Sequence, residues 1–281
     1  MDFSALALAF GVAWTPVAVP TPQAVPLAPA AGAIYDATGA VRTWAEALTD
    51  LASARIVAVG ESHDDAEHHK IQAEVLTALA VRVPLAVGLE MVAAEDQPVL
   101  DAFMSGTTPE KDFAVWWKAN WGYDFVLYKP IFDAAKAAGV PVRGLNAPRE
   151  VVKAVGKKGL AGLTPAERGR IPAMILESAD ARYRKYVLDS VSGHGAPPSA
   201  IPRMLEAMAV WNETMGENAA KLAAEGRLVL VIAGQGHVYY KAGVLESAAR
   251  RGAGPAQVLL PWSAVPQPGE LALADWFHVV P

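Results

Sequence analysis

The chain has 281 residues, 53% of them hydrophobic and 19% charged, with a net charge of −5 and no cysteine. That length can bury a sizeable core, and the negative balance excludes the concentrated positive surface that nucleic acid requires. Without cysteine there are no disulfides, no thiolate metal site, no cysteine nucleophile and no lipid attached through sulfur in this sequence.

In chain order, the first nineteen residues carry one charge, Asp2, within small and apolar residues interrupted by Pro16. They lack the positive start of a secretory signal, and read either as an N-terminal arm or as a trimmed export segment. Thr21 to Gly32 is proline-rich and reads as an extended linker, so residues 1–32 stand apart from one domain over 33–281. Five short apolar runs then resemble buried strands: Ile56–Val59, Val83–Glu90, Val140–Asn146, Arg227–His237 and Ala256–Trp262. Helical patterns lie between them. Ile71, Val75, Leu76 and Leu79 form one stripe behind a cap at Asp64 or Asp65, and Lys129–Ala138 is closed by Gly139. Pro148 to Glu225 reads as a helical excursion. The alternation predicts a three-layer α/β domain with a largely parallel sheet.

In such sheets ligands collect beyond the carboxyl ends of the strands. The first run ends in Glu61 and His63, the second in Glu90, the third in Asn146, Arg149 and Glu150, and the fourth in His237. Gly60–His63 and Gly234–His237 share the spacing Gly-x-x-His, in which the glycine allows a close approach and the histidine supplies a nitrogen ligand or a proton carrier. One such match carries little weight, because a histidine after a strand is usually just hydrogen-bonded. Two of them beside a carboxylate strand end point to a polar site. His63 and His237 with Glu61 or Glu90 are candidate ligands for a divalent cation with one position open to water, or equally a metal-free general acid and base. On the following helix His68 is expected to look inward and His69 to meet solvent.

Phe113 to Pro130 holds Trp116, Trp117, Trp121, Tyr123, Phe125 and Tyr128. So dense a patch is either core or interface, or a flat wall for a planar ligand with a tyrosine oxygen available to iron. Met204, Met208, Trp211 and Met215 share one helical face and read as core filler. His194 sits between glycines in a loop that is either a plain turn or part of a ligand site.

The order "IYDATG", "VAVGESHDDAEHHKIQ", "GLEM", "WGYDFVLYKPIF", "LNAPRE", "SGHG", "WNETM" and "AGQGHV", running from Ile34 to Val238 and followed by the closing "ADWFHVVP", resembles the ChaN-like family. Its members are bacterial haem-binding uptake proteins of the Tiki and erythromycin-esterase-like superfamily. The resemblance implies a haem ligand, an extracytoplasmic (periplasmic or envelope) location, membrane-associated uptake partners, and a homodimer with paired haems held between subunits by tyrosine. Tyr128, in the "YKP" motif, is the first choice of iron ligand, Tyr123 the second and Tyr183 the third. Arg149 or Lys129 would meet a propionate. Hydrolytic members of the superfamily resemble this chain at Glu61, His63, Glu90 and His237, which leaves open an esterase or metal-dependent protease. Two departures stand out: the lipobox cysteine of many members is missing, and the pair of histidines usual in the "SGHG" loop is reduced to His194.

Overall fold

The computed structural model describes residues 31–193 and 197–280. The expected arm and linker therefore lie outside the described residues, apart from Ala31 and Gly32, and so does His194.

The domain opens with a hairpin, β1 (Ile34–Asp36) and β2 (Val41–Arg42). Asp36 makes the turn by accepting bonds from the backbone N–H groups of Thr38 at 2.8 Å and Ala40 at 3.1 Å, which are the local contacts that favour Asp in turns. Helix α1 (Trp44–Leu51) follows behind a capping box of Thr43 and Glu46. All five apolar runs are strands: β3 (Ile56–Glu61), β4 (Leu85–Ala93), β5 (Val142–Asn146), β6 (Leu228–Gly234) and β7 (Ala256–Trp262). The closing segment adds β8 (Trp276–Val279).

The sheet order is β2-β1-β8-β7-β3-β6-β4-β5. From β8 to β5 every pairing is parallel, and the β1–β2 hairpin adds an antiparallel edge. Both faces of the central strands are buried, which explains their unbroken apolar sequence. On one face Val57, Val59, Leu89 and Ile232 pack with α2 (Ala66–Ala80) and α5 (Phe125–Ala138), beside α3 (Gln97–Met104) and α4 (Glu110–Trp121). On the other, Ile56, Ala58, Val229 and Val231 pack with α8 (Ala181–Gly193), α9 (Ile201–Ala223) and α10 (Val244–Arg250). Each Val, Leu or Ile among them contributes about 1.5–3 kcal/mol on full burial.

In the chain before α8 come α6 (Arg149–Lys158), which packs on α9 through Val151, Val155, Ala207 and Val210, and the short α7 (Pro165–Arg168). The excursion expected from Pro148 to Glu225 thus ends in α9, which is itself a layer helix on the sheet. Among the described residues no helix is long and apolar enough to cross a membrane. The feature that positions the site is the return of the chain: β6 inserts between β3 and β4, so the ends of three neighbouring strands meet at the reversal.

Candidate ligand site at the strand ends

Glu61 is the last residue of β3 and its carboxylate is fully enclosed. It accepts bonds from His63 Nδ1 at 2.8 Å, Gln72 Nε2 at 2.9 Å and the Tyr128 hydroxyl at 2.7 Å, and lies 3.3 Å from His69 Nε2. Burial opposes its ionisation, but the bonds and charges of His63 and His69 outweigh it and hold the carboxyl far below the usual range. Burial also opposes the charge on His63, and the Glu61 bond with the nearby Glu90 charge outweighs it, so the imidazole is raised. Glu61 therefore anchors His63 from behind.

Glu90, from β4, accepts the Gly234 N–H at 2.6 Å and faces His237 Nε2 at 3.3 Å. Its pKa is lowered: burial works against ionisation, and His237, His63 and the Gly234 N–H override it. Gly234 is required here, because a Cβ on it would sit 2.8 Å from His63 Cε1. The other nitrogen of His237 is fixed by a directional chain. The Tyr183 hydroxyl donates to the Gly236 carbonyl at 2.9 Å, Asn212 Nδ2 donates to that hydroxyl at 2.9 Å, and Asn212 Oδ1 is left to accept from His237 Nδ1 at 2.8 Å. This assigns the Nδ1 proton and leaves Nε2 to face Glu90.

His63, Glu90 and His237 lie on the wall of a cavity of about 360 Å³. Trp121 and Tyr123 form an aromatic side, with the Trp121 ring edge-on to His63 at 4.8 Å and the Tyr123 ring 5.4 Å from it. Asn146 also lines the cavity and is held by donating to the Glu90 carbonyl at 2.8 Å. Arg149 and Lys153 border it from α6. Glu95 and Glu150 also line it, and both pair with Arg170.

The structure places the three candidate tyrosines in different surroundings. Tyr128 is 0% exposed, and its oxygen already donates to Glu61 and accepts from Trp121 Nε1 at 3.0 Å. Burial and the Glu61 charge push its pKa well up. It is not among the residues that line the cavity, and its oxygen holds Trp121, which is. Tyr123 lines the cavity, half-buried, and among the described residues no hydrogen bond engages its hydroxyl. Burial first, then the charges of Asp64, Glu61 and Glu90, raise its pKa. Tyr183 is buried in the His237 chain. Lys129 is committed to Asp133 and Glu110 on the surface.

Two further expectations change. His69 is 0% exposed instead of solvent-facing, because the helix turns its ring under Tyr128, with centroids 4.1 Å apart. Met204, Met208 and Met215 are core as expected, with Trp211 packed against them, and Met204 and Trp211 also line the cavity. The proposed metal ligands fall into two separate pairs, Glu61–His63 and Glu90–His237. Among the described residues no three His, Asp or Glu side chains converge to hold a metal ion. Asn212 and Lys153 went unremarked in the sequence. Asn212 follows Trp211 in the quoted "WNETM", and Lys153 stands one helical turn after Arg149, a spacing that would have flagged it.

Solved structures that share this fold include two proteins. ChaN of Campylobacter jejuni, described by its cofacial haem binding, superposes with a TM-score of 0.65 at 18% identity, over 87% of this chain and 95% of its own. The type III effector HopBA1 superposes with a TM-score of 0.53 at 14% identity, over 83% and 91%. No curated protein matches the sequence. Residues 47–247, more than half of the chain, match the model of the family described as haem-binding uptake, Tiki superfamily, ChaN. The chain belongs to that family.

Proposed function

We propose that this protein binds ferric haem in the strand-end cavity, as a carrier in bacterial iron or haem acquisition, with Tyr123 as the iron ligand. The observation that carries the reading is the pairing of a half-buried phenol, its hydroxyl unengaged among the described residues, with the Trp121 ring on the cavity wall. A flat aromatic side suits a porphyrin face, and a phenolate suits ferric iron. The raised pKa of Tyr123 means that the phenolate forms when iron displaces its proton. Family membership and the likeness to ChaN support the same ligand. Titration with ferric haem followed by visible absorbance tests it. Saturable binding that weakens at least tenfold in Trp121→Ala is expected. Linear, unsaturable association in the unaltered protein would overturn the reading.

A second reading rests on the His237 chain. A carboxylate and an imidazole with an assigned tautomer, both at the cavity wall, form a general acid–base pair able to activate water for ester or peptide cleavage. Hydrolysis of simple aryl esters, abolished in His237→Ala and in His63→Ala, would support it. No turnover above the uncatalysed rate would remove it.

A further inference from the structure

We infer that the cavity recognises its cargo as a planar dicarboxylate, through Arg149 and Lys153, and so accepts a metal-free porphyrin dicarboxylate as well as the iron complex. This deepens the haem reading and rests on it. Arg149 and Lys153 are four residues apart on α6, which brings their Cβ atoms to about 6 Å on one helix face. Both border the cavity.

The charges around the cavity show why these two cations are available. Glu90 is matched by His237, and Glu95 and Glu150 share Arg170. Arg149 has no carboxylate partner among the described residues: its Nη1 donates only to the carbonyls of Ala119 at 3.3 Å and Asn120 at 3.2 Å. Those bonds leave Nε and Nη2 to form a fork for a carboxylate. Lys153 makes no ion pair among the described residues. Among the described residues Asp96, which also lines the cavity, makes no salt bridge either, and neither cation is tied to it.

The position of Arg149 matters as much as its charge. Ala119 and Asn120 lie in the last turn of α4, which ends at Trp121, two residues before Tyr123. The guanidinium is thus tied to the turn that carries the aromatic wall, and a ring lying on that wall brings its acidic edge toward α6. Iron plays no part in these contacts. Ring stacking and carboxylate pairing remain when the metal is removed.

The test uses three probes in the same dilute detergent: ferric protoporphyrin, its dimethyl ester, and metal-free protoporphyrin, followed by quenching of tryptophan fluorescence. The unaltered protein is expected to bind ferric protoporphyrin at least tenfold more tightly than the ester, and to bind the metal-free dicarboxylate saturably. The double variant Arg149→Gln/Lys153→Gln should lose at least tenfold for both dicarboxylates and stay unchanged for the ester. Both residues are exposed, so its melting temperature should match that of the parent, and Arg149→Lys should keep part of the preference. Equal affinity for haem and ester, or a double variant that keeps the preference, overturns the clamp while leaving haem binding intact. Haem binding without metal-free porphyrin binding overturns the metal-independent part. Failure of all three probes to saturate removes the haem reading and the clamp together.

Discussion

Glu61 does its work without touching the cavity. Its carboxylate gathers His63, Gln72 and Tyr128, and through Tyr128 it also holds Trp121. Replacing it by Gln keeps the shape but removes a buried charge accepting several bonds, and should cost about 2–3 kcal/mol by urea denaturation. The pH dependence follows from the two shifts. The lowered Glu61 contributes stability above the ordinary carboxylate pKa of about 4.3, and that contribution is lost as pH falls through its folded value. The raised His63 contributes fully below the ordinary imidazole value of about 6.5 and loses its share as pH rises through its folded value. The stability gap between the haem-free parent and Glu61→Gln should therefore be widest at about pH 5–6. A gap that is flat from pH 5 to 8 would show that the pair carries no such linkage.

At the scale of elements, the ends of β3 and β6 press on each other through glycine. Gly234→Ala should force the His63 ring aside and cost about 1–3 kcal/mol, with a larger loss of haem affinity than of melting temperature. Asn212→Leu in α9 removes the acceptor that fixes His237 and the donor to the Tyr183 oxygen; it should destabilise by about 1–3 kcal/mol and release the His237 tautomer, read by nitrogen chemical shifts. Much of this layer was legible in advance. The β3 to β7 runs are apolar on both faces, so their pattern announces covered parallel strands, and the strand-end rule brings Glu61, His63, Glu90 and His237 together. The short strands β1, β2 and β8 left too few residues for any period to show. The inward turn of His69 and the burial of Tyr128 depend on how α2 and α5 meet, a long-range contact to which local spacing is blind. Asn212 was missed for the same reason, since its partners Tyr183 and His237 come from distant segments.

For the whole molecule, one arrangement accounts for the site: β6 returns between β3 and β4, and helices on both faces seal the sheet while α6 and the turn after α4 wall the open end. The anchoring network then lies behind the wall and the proposed iron ligand on it, which separates Tyr128 from Tyr123. The visible spectrum of the ferric-haem-loaded protein tests that separation most directly, compared across the parent, Tyr123→Phe and Tyr128→Phe. A phenolate-to-iron charge-transfer band is predicted in the parent and in Tyr128→Phe, and its loss is predicted in Tyr123→Phe. A band that survives in Tyr123→Phe and disappears in Tyr128→Phe would contradict the account.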